Sequence, residues 1–302
     1  MKLKFNNDLS QQEIYATGPE LAETMGQDRD KDGNRIYDFP HTKEQLVTTL
    51  DNPVLMTDDY KLFHIKDYIA RQTVQLLLRK PMIIIEYDGI RMEFEQGKYP
   101  GVWSPNIDTL LMCKAMQKLD YSHIRTAIEV GSGPGFAARY IASKAPNLKH
   151  LVMNDINPNA QKYFTDTNED SRAEFVLGDA KKYLDENQFD LVVCNPPYIP
   201  RPKAIEDNPY EGLELLIYLI NNLHKEAILN VSSLGEDVIN PILEQCGAKI
   251  ELLDEIEVPL KVGNVLNNKE RLDYLITEKG LKDDYHDGHQ YWQKLRILKL
   301  SK

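Results

Sequence analysis

Two strings constrain this chain more than any other part of it. Each is an apolar run that ends in residues permitting an unusual turn: AIEVGSGPG at Ala127–Gly135 and FDLVVCNPPYIP at Phe189–Pro200. Both apolar runs read as buried parallel strands. After the first, Gly131, Gly133 and Gly135 let the backbone bend tightly and approach a ligand, and the following FAARYIASKA has helical composition. The unit is strand, glycine turn, helix. Phe136 stands where a dinucleotide fingerprint places its third glycine, and Glu129 precedes the loop inside the strand. Both features count against NAD.

Two more apolar strands end in acids. HLVMND closes on Asp155, about twenty residues beyond the glycine turn, where a carboxylate can accept hydrogen bonds from two ribose hydroxyls. EFVLGD closes on Asp179, placed to meet an adenine amino group. Either acid alone is equally an ordinary strand-end or helix-cap residue. At the carboxyl ends of consecutive parallel strands they outline one crevice.

The fourth strand delivers Asn195-Pro196-Pro197-Tyr198 to that crevice. Proline has no backbone donor, so a Pro-Pro step at a strand end leaves carbonyls facing outward with nothing in the sheet to pair them. The Asn195 side-chain carbonyl and the Pro196 backbone carbonyl can together accept both hydrogens of an NH2 group, turning its lone pair toward an electrophile. Tyr198 would stack on the flat group that carries it. The alternative is that Pro-Pro merely ends a strand and Tyr198 packs in the core.

Glu129 with the three glycines, Asp155, Asp179 and Asn195-Pro196-Pro197-Tyr198 resembles the class I S-adenosylmethionine-dependent methyltransferases that methylate nitrogen. The longer NPPYIP is most similar to the HemK-type N5-glutamine methyltransferases that modify peptide chain release factors. The resemblance covers roughly Trp103 to Ser232. It implies S-adenosylmethionine as cofactor, held by Glu129, Gly131, Ser132, Gly133, Gly135, Asp155, Ile156, Asp179, Ala180 and Asn195. It also implies a catalytic turn of Asn195, Pro196, Pro197 and Tyr198 and a protein substrate, with a release factor as partner. Asn-Pro-Pro-Tyr is shared with N6-adenine methyltransferases of DNA and RNA, so adenine is the alternative acceptor, and a non-catalytic cofactor-binding subunit is a third possibility. The family's Gly-Val-aromatic-x-Pro segment, which closes over the cofactor, is matched by Gly101, Val102, Trp103 and Pro105. Its common bacterial form has Pro-Arg after the aromatic, whereas Asn106 follows Pro105 here. Asp108-Thr109 then opens a helix expected to run through Leu119, with Asp108 as a candidate cap.

The expected fold class is α/β: a Rossmann-like, seven-stranded, mostly parallel sheet with an antiparallel last strand, preceded by a small helical domain and a β-hairpin. Residues 1–80 have amphipathic helical pattern, strongest where Leu62, Ile65, Ile69, Val74 and Leu77 share a face between Asp58 and Pro81. Within them, residues 28–39 imitate a calcium loop through Asp28, Asp30, Asp32 and Gly33. Phe39 occupies the position of the bidentate Glu, so an exposed charged loop is the better reading. Residues 81–105 form the hairpin linker, MIIIEY and IRMEFE about Asp88-Gly89. Residues 106–302 form the catalytic domain. EAILNVSS, KIELLDEIEV and QKLRILKL supply its last three strands, and an insert at 259–291 carries a helix and a loop with His286 and His289. These histidines have no evident Cys or acidic partner, so no metal is expected. After the active turn a loop and then a helix beginning near Tyr210 are expected. Arg201, Lys203, Glu206 and Asp207 face the expected substrate side, with solvated loop charges the better reading, and Tyr210, Glu211, Gly212 and Leu213 keep a compressed trace of a longer element of the resembled family.

The net charge of −11 disfavours phosphate-rich partners without excluding a local basic patch. Cys113, Cys194 and Cys246 are odd in number, far apart and in apolar settings, as reduced core residues are. MKLKFNNDLS lacks the apolar stretch of a signal peptide and no run reaches membrane-spanning length, so a cytoplasmic protein is expected.

Overall fold

The computed structural model describes residues 82–95, 98–99, 101–105, 107–202, 211–260, 262–266, 268–286 and 289–302. The helical region expected over 1–80, its loop at 28–39, and Lys203, Glu206, Asp207 and Tyr210 lie outside them. In chain order the elements are β1 (Met82–Tyr87), β2 (Ile90–Glu95), α1 (Ile107–Met116), β3 (Thr126–Val130), α2 (Phe136–Lys144), β4 (His150–Asp155), α3 (Pro158–Thr167), β5 (Ala173–Leu177), α4 (Ala180–Glu186) and β6 (Leu191–Cys194). They continue with α5 (Glu214–Asn221), β7 (Glu226–Ser232), α6 (Glu236–Gln245), β8 (Lys249–Pro259), α7 (Gly263–Leu266), α8 (Lys269–Glu278), β9 (Lys282–His286) and β10 (His289–Ser301).

The described residues divide between two compact units. The larger comprises Pro105–Val258, Thr277–Leu281 and Gln293–Lys302. Its sheet runs β5-β4-β3-β6-β7-β10-β8. The first five strands pair in parallel and β10 runs antiparallel to β7. Val152, Ile128, Val192, Leu229 and Leu300 are almost wholly buried, because a parallel sheet covered by helices on both faces must be apolar on both. The chain winds outward from β3 through β4 to β5, then returns to lay β6 and β7 on the other side of β3. The order therefore reverses at β3 and β6. A crevice opens outside the carboxyl ends of strands at such a reversal, and both constraining strings end there.

Within the smaller unit, β1 and β2 pair antiparallel from Met82↔Glu95 to Tyr87↔Ile90. Asp88 and Gly89 have φ of 50° and 81°, the left-handed pair a type I′ turn demands. This unit also holds Pro259–Ile276 and Lys282–Trp292. The expected helix appears as α8, but the expected histidine loop does not. β9 and the start of β10 pair antiparallel with His286 opposite His289, and the Trp292 ring stacks on His286 at 3.9 Å. Tyr285, Tyr291 and Trp292 favour extended pairing, a signal masked by the polar residues between them. Among the described residues no group of three potential metal ligands occurs, and no helix is long and apolar enough to cross a membrane.

Candidate active site

The glycine turn follows β3 with φ of 63° at Gly131, 50° at Gly133 and 77° at Gly135, a region only glycine enters without cost. Gly135 meets a second demand. A Cβ there would sit 2.5 Å from the Met153 Sδ of β4, so the bare backbone is what lets α2 start against the sheet. A glycine cap offers no side-chain oxygen to the first turn of α2. Glu129 supplies it from inside β3: its Oε2 accepts from the Ala138 N–H at 2.7 Å. Glu129 is only 7% exposed, and burial pushes its carboxyl up to about 8, so it is largely protonated at neutral pH.

Asp155 ties β4 to the same turn. Its Oδ2 accepts from the Gly133 N–H at 2.9 Å and its Oδ1 from the Asn157 N–H at 2.8 Å. Burial raises its pKa while these backbone donors oppose the rise. A carboxylate has about four acceptor sites, so both oxygens keep capacity for a ligand. Ile156 follows, partly buried. Asp179 caps α4, accepting from the Lys181 N–H at 2.9 Å, and is exposed; Ala180 behind it is buried. Asp179 is thus a helix cap in fact as well as a strand-end acid.

At the end of β6, Asn195 is partly buried and its Oδ1 accepts from Asn230 Nδ2 at 2.8 Å. Pro196 is buried, and among the described residues its carbonyl receives no backbone hydrogen bond. Tyr198 is not a core residue. It is partly exposed, and its hydroxyl donates to Asp108 Oδ2 at 3.1 Å. Asp108 lies buried in the first turn of α1, where its Oδ1 also accepts from the Thr109 N–H. The Cys194 thiol beneath the turn is fully buried and shifted well upward by burial, which suits packing rather than reactivity.

Glu129, the glycine turn, Asp155, Ile156, Asp179, Ala180 and Asn195–Tyr198 therefore all lie at the carboxyl ends of β3 to β6, within the larger unit. Gly101, Val102 and Trp103 belong to the smaller one. Arg201 corrects an expectation. Its side chain is 7% exposed and lies 3.7 Å from Glu214 Oε1, so it is no solvated loop charge. Gly212, at φ 95°, leaves room for the pair, since a Cβ there would press on both side chains.

Three residues escaped the sequence reading or were undervalued by it. Buried Asn154 donates from Nδ2 to the Val176 and Gly178 carbonyls at 2.9 and 3.0 Å, fixing the turn that presents Asp179. Asn230 holds Asn195, and Asp108 holds Tyr198. An Asn inside an otherwise apolar strand, as in LVMND and AILNV, was the available signal.

Residues 97–208 match the family model of the methyltransferase small domain. The chain carries a methyltransferase domain. The methyltransferase HEMK2 of Homo sapiens is 29% identical over 114 residues, 35% of this chain and 53% of its own length. The release factor glutamine methyltransferase of Clostridium acetobutylicum is 24% identical over 238 residues, 75% of this chain and 79% of its own. The tRNA1(Val) (adenine(37)-N6)-methyltransferase of a Flavobacteriaceae bacterium is 31% identical over 96 residues, 30% of this chain and 38% of its own. The chain thus spans about half the length of the human relative.

S-adenosylmethionine is the cofactor of such a methyltransferase domain, and the residues present fit it. The Ser132 Oγ in the glycine turn is buried and, among the described residues, has no hydrogen-bond partner. A Cβ on Gly131 or Gly178 would meet nothing within 4 Å, so open space lies beside both turns.

Proposed function

We propose that the chain transfers the methyl group of S-adenosylmethionine to the side-chain amide nitrogen of a glutamine in a protein, with a peptide chain release factor as the partner. One observation carries this assignment: the Asn195 and Pro196 carbonyls stand at the end of β6, next in the sheet to the β3 glycine turn. In this assignment Glu129, Gly131, Ser132, Gly133, Gly135, Asp155, Ile156, Asp179, Ala180 and Asn195 bind the cofactor, which supplies a methyl already activated by positive sulfur.

The chain's own task is to align the acceptor nitrogen and exclude water. An amide nitrogen is a poor nucleophile because its lone pair is delocalised. Hydrogen bonds from both its hydrogens to Asn195 Oδ1 and the Pro196 carbonyl favour a pyramidal nitrogen and offset the positive charge that develops on it, and one of those hydrogens is then lost as a proton to solvent to give the neutral N-methyl amide. Pro197 stiffens the turn and Tyr198, anchored on Asp108, holds the plane of the group being methylated. The relative named for release factor glutamine methylation, matched over three quarters of this chain, supports a protein acceptor.

N6-methylation of adenine in RNA or DNA is the second reading, favoured by the relatives named for tRNA adenine. It requires an extruded base and a local basic surface on a chain of net charge −11. Labelled S-adenosylmethionine incubated with the protein and a cell lysate separates the two. Label lost to protease and kept after nuclease is expected, and the reverse would replace glutamine by adenine. Asn195→Ala should reduce transfer about 100-fold or more and cofactor affinity by far less, since the other cofactor contacts remain. Normal turnover in that variant would remove the assignment, and no transfer by the wild-type protein would favour a non-catalytic subunit.

A further inference from the structure

Asn230 lies in β7 between β6 and β10, opposite Ile297, and is 0% exposed. A primary amide offers two donors and an acceptor with two lone pairs. Here Nδ2 reaches Asn195 Oδ1 at 2.8 Å, and among the described residues the Asn230 Oδ1 has no partner. An orphaned polar atom inside a sheet destabilises the fold, whereas an apolar residue such as its neighbours Leu229 and Val231 would leave none. Packing alone therefore does not account for an amide at this position.

We propose, building on the role given above to Asn195, that Asn230 is a positioning residue that sets which end of the Asn195 amide faces the methyl acceptor. A half turn about its last bond exchanges the carbonyl and amino ends of Asn195 with almost no change of shape. An NH2 end presented to an NH2 substrate has nothing to accept with. The parallel register brings the two amides together: Cys194 pairs with Leu229, so Asn195 and Asn230 stand one step further along the same two strands. A donor at that point selects the state with Oδ1 turned toward it. That oxygen has a second lone pair, which is the one left for the acceptor's N–H.

Asn230→Asp tests this directly. An ionised carboxylate only accepts, so Asn195 must turn its NH2 toward it and lose the acceptor. A protonated carboxyl donates its O–H as Nδ2 does. Burial raises the pKa of such a group, which brings the exchange into an ordinary pH series. Glu129 and Asp155 are the acids at the carboxyl ends of β3 and β4 in the same sheet, and Glu129 titrates in the same range. The measured quantity is therefore the ratio of variant to wild-type transfer, from labelled S-adenosylmethionine at saturation into the protein fraction of a lysate. We expect that ratio to rise about tenfold or more from about pH 9 to about pH 6, and Asn230→Leu to be slowed about tenfold or more throughout, both with a far smaller change in cofactor affinity. A ratio independent of pH, or wild-type turnover in Asn230→Leu, overturns the proposal.

If neither variant folds by thermal melting, side-chain NH2 resonances of the ligand-free protein answer instead. Those of Asn230 should move on Asn195→Ala, and resonances left in place overturn the proposal. Asn195→Ala also separates the two levels. Turnover retained there removes the proposed function itself, whereas loss there with none in Asn230→Leu removes only the role of Asn230.

Discussion

The paired strands β3 and β6 have one acid at each end of the pair, Asp190 at the amino end of β6 and Glu129 near the carboxyl end of β3, and the two ends treat the acid oppositely. At the amino end, Asp190 accepts from the Arg125 and Thr126 N–H groups through Oδ2 and meets Lys225 Nζ at 2.6 Å through Oδ1. Those bonds and that cation outweigh the cost of burial and hold its carboxyl down at about 2. At the carboxyl end, Glu129 has backbone donors but, among the described residues, no cation, and Asp155 beside it adds like charge; burial prevails and its carboxyl is pushed up to about 8. The amino end is built for stability. The carboxyl end keeps acids in an environment that disfavours their charge, as perturbed groups in active sites commonly are.

The largest effect expected from breaking this contrast lies at Glu129. Its folded pKa of about 8 exceeds the ordinary value of 4.5, so the folded state holds a proton the unfolded state has released. Stability should therefore decline as pH rises between those values, by about 3–4 kcal/mol in all. Glu129→Gln keeps an acceptor for the Ala138 N–H and should lose most of that slope. Urea midpoints across the interval check this, and equal slopes in the two proteins would place the rise elsewhere.

Gly135→Ala comes next. It forces a side chain into left-handed backbone and drives a methyl against Met153 Sδ, for a loss of about 2–3 kcal/mol. Gly131→Ala carries only the backbone strain, having nothing within 4 Å, and should instead weaken S-adenosylmethionine binding by filling space beside the turn. Denaturation and calorimetric titration of the pair separate a packing glycine from a ligand-facing one. Equal stability losses would remove that distinction.

The same contrast explains what is legible in the sequence. The glycine turn, Glu129, Asp155 and the Asn-Pro-Pro-Tyr string are local, each a strand end with its turn, and the turn bonds link residues close in sequence or on adjacent strands of a recognisable unit. The acceptor side is held by partners far along the chain. Asn230 is 35 residues from Asn195, and Asp108 is 90 from Tyr198. No spacing rule joins such pairs until the sheet order is known, which is why Asp108 read as a helix cap and Asn230 went unremarked. Arg201 failed for a related reason, since the glycine that admits it is Gly212, 11 residues further along the chain. The β9–β10 pairing was missed because alternation is weak where polar residues dominate a short strand.

Tyr198→Phe sharpens the comparison on the acceptor side. It keeps the ring and removes the hydroxyl bonded to Asp108, so stability should fall by about 1–1.5 kcal/mol. Transfer should slow more than cofactor affinity changes, because the tether orients the ring without touching the glycine turn. A separate measurement of turnover and of S-adenosylmethionine affinity tells whether Asp108 serves the turn or only α1.

The smallest effect is expected at Asp190. A folded pKa of about 2 lies below the ordinary 3.8, so its contribution is present above the latter value and is lost as pH falls through the former. Lys225 is 75% exposed, so solvent and salt screen its share. Asp190→Asn retains a carbonyl for the Arg125 and Thr126 N–H groups and loses the charge alone. The difference from wild type should therefore be only about 0.5–1 kcal/mol near pH 6, shrink in high salt, and close toward pH 2. Urea midpoints at three pH values settle it. A difference that persisted at the acid end would mean that Asp190 acts through its geometry, and the amino end would then resemble the glycine turn more than it differs from it.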